Sequence, residues 1–172
     1  YKGMHPTLER PVILKKLTLR GNPGFVERFR REAQILMDFR NDNIVDVYDH
    51  FKEGRTHYIV LEYIDGLSLE ELLKRERYLP NEMALYILYQ VCKGLKYAHM
   101  KQVVHRDVKP ANILISKSGD VKLVDFGIAT SSAEPESGLT REGMTLGSPA
   151  YMAPEQFENS STVDLRADIY SL

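Results

Sequence analysis

The sequence predicts an α+β fold in two unequal parts, a small antiparallel sheet with one helix against it and then a mostly helical region. Three observations predict it. Short apolar strand patterns surround a single helical stretch within residues 1–61. Two segments with helical periodicity follow residue 67. A short hairpin pattern comes after them, centred on Lys117-Ser118-Gly119.

The elements follow in chain order. Val12-Ile13-Leu14-Lys15-Lys16-Leu17 reads as a strand with lysine near its end. Residues 22–39 read as a helix entered through Asn22-Pro23, because Phe25, Phe29, Ala33 and Leu36 recur at helical spacing. Residues 45–52 and 56–62 read as two strands joined by Glu53-Gly54-Arg55. The polar stretch Glu62-Tyr63-Ile64-Asp65-Gly66 is a connector and the one plausible hinge. Ser68 and Glu71 have capping-box spacing, which starts a helix at that point. Asn81 after Pro80 can cap a longer helix. Ala84, Ile87, Leu88, Val91, Leu95 and Ala98 form its apolar stripe, read as core packing. Strands at 113–116 and 120–124 form the hairpin. Residues 129–142 contain one large apolar residue, Leu139, and are expected to form a surface loop.

Composition narrows the function classes. Lys plus Arg total 23 and Asp plus Glu total 24 among 172 residues, a net charge of -1 that argues against a nucleic-acid or anionic-membrane surface. A hydrophobic share of 43% with 27% charged residues excludes low-complexity and largely disordered chains. Cys92 is the single cysteine, so an intrachain disulfide is excluded and a reducing, cytoplasmic setting is expected. No apolar run approaches the ~20 residues that cross a bilayer. The first residue is not Met, and both ends stop inside structured patterns, so the chain is expected to be a fragment. Its parent could be membrane-tethered through a segment outside this sequence.

The hairpin carries the chemistry. Asn112 precedes its first strand and Asp125 follows its second. The open end of a hairpin brings such positions to about 5 Å. Asp107 lies upstream in His105-Arg106-Asp107-Val108-Lys109-Pro110-Ala111-Asn112, so three oxygen donors and one lysine can converge. Hard cations such as Mg²⁺ take oxygen ligands of this kind and keep waters and substrate phosphates. Glu32 falls on the apolar face of its helix, where a charge needs a partner. Lys15 is the expected partner, with Lys16 as competitor.

The loop from His105 to Asn112 resembles the catalytic loop of eukaryotic-like protein kinases, and Asp125-Phe126-Gly127 resembles their metal-binding motif. Gly147-Ser148-Pro149-Ala150-Tyr151-Met152-Ala153-Pro154-Glu155 is similar to the end of their activation segment. All three stand in the family's order and spacing, and the chain is most similar to the bacterial-type Ser/Thr kinases of that group. The resemblance covers essentially the whole chain.

It implies a bilobal protein-kinase-like fold, incomplete, with residues 1–61 as the N-lobe, 62–66 as the hinge and 67–172 as part of the C-lobe. It implies transfer of the ATP γ-phosphate to a protein Ser or Thr hydroxyl with Mg²⁺, or Mn²⁺ as the alternative. By resemblance Asp107 is the catalytic base, Lys109 steadies the transferring phosphate, and Asn112 and Asp125 are the metal ligands. Lys15 and Glu32 would pair and hold the α- and β-phosphates. Glu62 and Ile64 would offer backbone groups to the adenine edge, Leu61 would be the gatekeeper, and Leu114 the floor beneath the ring. Ile13 stands where the family often has Ala, which crowds the roof of that site.

Arg106 is implied as a regulatory partner for a phosphorylated loop, with Thr140 first and Thr145 second as acceptors. Ser148 matches the family's hydroxyl beside the substrate site. Asp168 resembles an anchor for the catalytic loop, with an ordinary helix-start carboxylate as the alternative. His105 is expected to pack against Phe126.

The sequence departs from the family at both ends. It begins at what resembles the strand after the Gly-rich loop and stops early in the large central helix. The loop, the later helices and the arginine partner of Glu155 are expected in the parent. The alternative is a pseudokinase-like binding module, which predicts losses in the catalytic set that are not seen. A small-molecule phosphotransferase would share the Asp and Asn loop but not the Gly147–Glu155 segment.

Overall fold

A computed structural model describes residues 1–7, 9–17, 31, 33–54, 56–126, 149–158 and 163–172. Two antiparallel sheets and several helices organise them. The first sheet contains β1 (Lys2–Met4), β2 (Pro11–Leu17), β3 (Val47–Glu53) and β4 (Thr56–Glu62) in the order β1-β2-β4-β3. Its register places Ile13 opposite Leu61 and Lys15 opposite Ile59. Between β3 and β4, Gly54 takes the positive φ of 58° that a tight turn there requires. Residues 33–37 are helical, which matches the expected helix where it is described. Most of that helix, including Glu32, lies outside the described residues.

The second sheet contains β5 (Gly66–Ser68), β6 (Ile113–Ser116) and β7 (Val121–Leu123). The helix Leu69–Glu76 begins at Ser68, whose side chain accepts from the Glu71 amide while Glu71 returns to the Ser68 amide. This is the capping box its sequence announced. The helix Asn81–Met100 differs from expectation at its start. Pro80 occupies the N-cap with extended backbone, and Asn81 is already the first helical residue. Proline's fixed φ and missing amide suit a helix start without help from a side chain. Ile87, Val91, Leu95 and Ala98 are buried as predicted, whereas Ala84 and Leu88 are exposed along an apolar groove.

The two sheets share one core. Ile44 forms a parallel bridge to Leu123. Leu123 donates to Asn43 O at 2.8 Å, and Val45 donates to Leu123 O at 2.9 Å. Leu36, Phe39, Ile59 and Leu61 from the first half meet Val91, Leu95, Leu123 and Phe126 from the second. Burial of that continuous apolar surface drives the halves together. A cleft is left where the sheets diverge, at the connector between β4 and β5. Among the described residues, no helix is long and apolar enough to cross a membrane.

Gly66 tests the packing of β5. A Cβ there would collide with the carbonyl of Ile115, so only glycine lets β5 lie this close to β6. Gly66→Ala is therefore expected to cost about 2 kcal/mol or more, although an exposed site would ordinarily change stability by about 0.5 kcal/mol at most. Urea denaturation checks this, and an unchanged midpoint would refute it.

Candidate active site

The loop between the long helix and β6 is held from behind by Asp168, which is 1% exposed. Its Oδ2 accepts from the His105 amide at 2.8 Å and its Oδ1 accepts from the Arg106 amide at 2.8 Å. His99 Nε2 donates to Oδ2 at 2.7 Å. Asp168 thus sits in the helix Arg166–Tyr170 as a loop anchor, the first of its two sequence readings. Arg106 adopts φ 66°, a conformation that costs a non-glycine residue about 1 kcal/mol or more. Both of its peptide groups are taken. Asp168 accepts its amide, and Gln156 Nε2 donates to its carbonyl at 2.8 Å. Gln156 also accepts from the Ala153 amide at 3.0 Å, so it ties the 153–156 segment to the loop. Sequence reasoning missed Gln156, because only the fold places it against residue 106.

The turn at Arg106 presents Asp107. Lys109 Nζ reaches its two carboxylate oxygens at 3.0 and 2.7 Å. The 3-10 turn Pro110–Asn112 brings Asn112 back, and its Nδ2 donates to Asp107 O and Oδ2, both at 2.8 Å. Asp107, Lys109 and Asn112 therefore form one half-buried cluster. Asn112 is itself buried, with its amide hydrogens committed to Asp107.

His105 lies beneath them, fully buried, its ring centroid 4.4 Å from that of Phe126. The Asp107 amide donates to Nδ1 at 3.3 Å, so Nε2 carries the proton and donates to Val124 O at 3.1 Å. Burial holds its pKa below the ordinary value, outweighing the attraction of Asp168. The ring is a neutral spacer between loop and hairpin.

The hairpin register corrects one sequence expectation. Ile113 pairs with Leu123, and the Val124 amide donates to Asn112 O at 3.0 Å. Asn112 thus faces Val124, and Asp125 lies one residue further on. Asp125 takes φ 63°, a left-handed turn that aspartate tolerates, and leaves the ladder there. Its Oδ1 meets Lys15 Nζ at 2.6 Å. The predicted partner of Lys15 was Glu32, which lies outside the described residues. Among the described residues the ion pair of Lys15 is with Asp125, because β2 and the end of β7 face each other across the cleft.

That cleft has a volume of about 470 Å³, within the range of small-molecule sites. Lys15, Leu61, Glu62, Ile64, Leu114 and Asp125 line it, together with Ile13. Tyr63 and Val124 also line it and were not singled out by sequence. Among the described residues no backbone hydrogen bond uses the amide or carbonyl of Ile64, while the Glu62 amide donates to Asp46 O at 2.9 Å. The Glu62 side chain turns to Lys122 at 2.8 Å. Arg106 is half-buried and makes no side-chain ion pair among the described residues. Thr140, Thr145 and Ser148 lie outside the described residues.

A cation fits the donor types present. Asn112 and Asp125 offer an amide oxygen and a carboxylate, and Mg²⁺ is usually held by one or two such groups plus phosphates and water. Among the described residues no group of three His, Cys, Asp or Glu side chains could hold a metal alone.

The chain matches the family described as protein kinase domain over residues 1–172. It is 42% identical over 174 residues to the serine/threonine-protein kinase PknL of Mycobacterium bovis, covering 100% of this chain and 43% of that protein. It is 40% identical over 171 residues to the serine/threonine-protein kinase PknB of Mycolicibacterium smegmatis, covering 96% and 27%. The chain therefore spans less than half the length of these curated relatives. Among solved structures it resembles a crystal structure of Rad53 1-466 in complex with AMP-PNP, with a TM-score of 0.79 at 24% identity. That alignment covers 99% of this chain and 41% of the other, and it shows the fold.

The Asp168 anchor and the buried His105 give two expected outcomes. Asp168→Ala strands the buried His105 amide and the part-buried Arg106 amide, so a loss of about 2 kcal/mol or more is expected in urea denaturation. A loss below about 1 kcal/mol would contradict the anchoring. His105 binds its proton less readily in the folded chain than in the unfolded one. Stability is thus full above about pH 6.5 and declines as pH falls below it, by up to about 1.4 kcal/mol per unit. NMR titration of the imidazole should find His105 titrating below the ordinary histidine range, and a normal titration would refute this.

Proposed function

Because this chain belongs to the protein kinase domain family, we propose that it forms the nucleotide cleft and catalytic loop of a serine/threonine protein kinase. The proposed reaction moves the γ-phosphoryl group of ATP to a Ser or Thr hydroxyl of a protein. The observation that carries the reading is the Asp107 carboxylate, gripped by Lys109 and Asn112 near a cleft that holds Lys15 and Asp125.

The chemistry follows from these positions. The purine would sit between Ile13 and Leu114, with Leu61 behind it and the main-chain groups of Ile64, unpaired among the described residues, at its edge. Lys15 can exchange Asp125 for the α- and β-phosphates, with Glu32 as the partner the family implies. Asp107 accepts the hydrogen of the substrate hydroxyl and aligns its oxygen with phosphorus. The new O–P bond forms as the bond from phosphorus to the β-bridging oxygen breaks, and ADP leaves. Lys109, already beside Asp107, offsets charge on the transferring group. In a loose transition state, such positioning outweighs full proton removal. Asn112 and Asp125 would hold Mg²⁺, or Mn²⁺, which when bound neutralises phosphate charge.

Lys109 two residues after Asp107 supports Ser/Thr over Tyr acceptors. Arg106 is proposed to receive a phosphate on Thr140 or Thr145, and Ser148 to line the acceptor site. Residues 1–61, 62–66 and 67–172 act in this proposal as N-lobe, hinge and partial C-lobe. Cytoplasmic placement belongs to the same proposal, supported by the lone Cys92. No basic excess supports a nucleic-acid partner, with a net charge of -1.

Phosphoryl transfer from radiolabelled ATP to a Ser/Thr-containing protein tests the reading. Asp107→Asn is expected to lower kcat by at least about 100-fold, and Lys15→Met to raise the KM for ATP. Full activity in both variants, or transfer to an aminoglycoside instead of protein, would overturn it.

A further inference from the structure

Lysines hold the connector between the two sheets from three directions. Lys122 Nζ on β7 reaches Glu62 Oε2 at 2.8 Å, and Lys117 Nζ reaches Asp65 Oδ2 at 2.9 Å. Lys2 Nζ on β1 lies 3.8 Å from the centroid of the Tyr63 ring. The contacts are unequal. The side chains of Lys117 and Asp65 are 76% and 60% exposed, and water and salt leave such a pair weak. Those of Lys122 and Glu62 are only 15% and 22% exposed.

Glu62 also has a second commitment. Its Oε2 accepts from the Asp46 amide at 3.2 Å, and its own amide donates to Asp46 O at 2.9 Å. One carboxylate therefore joins the end of β4, the segment before β3, and β7. A half-buried carboxylate keeps that geometry only while its cation is present, because removing the cation leaves a poorly solvated charge. Lys122 itself is not among the residues lining the cleft, so it acts on a ligand only through Glu62. Two residues beyond Glu62 stands Ile64, with its main-chain amide and carbonyl uncommitted among the described residues.

Resting on the nucleotide reading above, we infer that Lys122 is a positioning residue for nucleobase selection. Its ion pair with Glu62 fixes the connector, so that the main-chain carbonyl of Glu62 and amide of Ile64 keep one spacing. That donor and acceptor order matches adenine, which presents an amino donor beside a ring-nitrogen acceptor. Guanine presents the opposite order along the same edge. A connector freed from Lys122 samples other spacings and loses the distinction, because preorganisation sets how much of the contact energy appears as affinity.

Calorimetric titration of the purified protein with ATP and with GTP tests this. Wild type is expected to prefer ATP. Lys122→Met should weaken ATP about tenfold and leave GTP within about twofold, so the preference narrows. Lys122→Arg should keep the preference, because arginine can restore the pair. Glu62→Gln should match Lys122→Met, and the double variant should be no worse than either, as coupled partners behave. Unchanged ATP binding in Lys122→Met, or equal weakening of both nucleotides with a lower melting temperature, would overturn the inference alone. Wild-type protein that binds neither nucleotide would overturn the functional reading and this inference with it.

Discussion

The Asp168 carboxylate is the constraint on which the candidate site depends. It is buried, and three donors from two other segments satisfy it. A buried carboxylate with that many partners has essentially one place to sit. The Arg106 peptide is consequently held in a left-handed conformation that the chain would not adopt alone. The turn at Arg106 then delivers Asp107 to Lys109 and Asn112. Each short distance in that cluster inherits its geometry from Asp168, which lies 62 positions beyond Arg106 in sequence.

The second organising feature is how the halves are joined. Residues 43–45 add main-chain hydrogen bonds to β7, and the long helix packs close behind them. Gly94 permits that approach, since a Cβ there would come within 2.9 Å of Asn43 O. The union is continuous on this side, with Leu95 and Leu123 fully buried. On the opposite side the sheets diverge and leave the cleft, crossed among the described residues by Lys15 and Asp125. One side is a packed core and the other a polar gap bridged by an ion pair. That asymmetry lets a charged ligand enter without opening the core, because an exposed ion pair is exchanged far more cheaply than buried apolar surface.

Much of this was legible from residues with local signatures. Ser68 and Glu71 announced their helix through a capping box that four adjacent residues complete. Ile87, Val91, Leu95 and Ala98 announced a buried face through periodicity. Lys117-Ser118-Gly119 announced the hairpin, and Gly119 there takes φ 91°. The cluster of Asp107, Lys109 and Asn112 was legible because its members lie within six residues on one loop. Where a proline occupied the cap, the same local reasoning misassigned Asn81, since a capping side chain and a first helical residue look alike in sequence.

Sequence by itself determined most of the described elements and their order, though not β5, because helix periodicity, strand alternation and turn composition act over a few residues. It could not determine that Asp125 meets Lys15, that Gln156 holds the carbonyl of Arg106, or that Lys122 grips Glu62. Nor could it decide between the two readings of Asp168. Those contacts join residues 50 to 110 positions apart that share no local pattern. Only the packing of the two sheets against one helix brings them within 3 Å, and that packing is a property of the whole core.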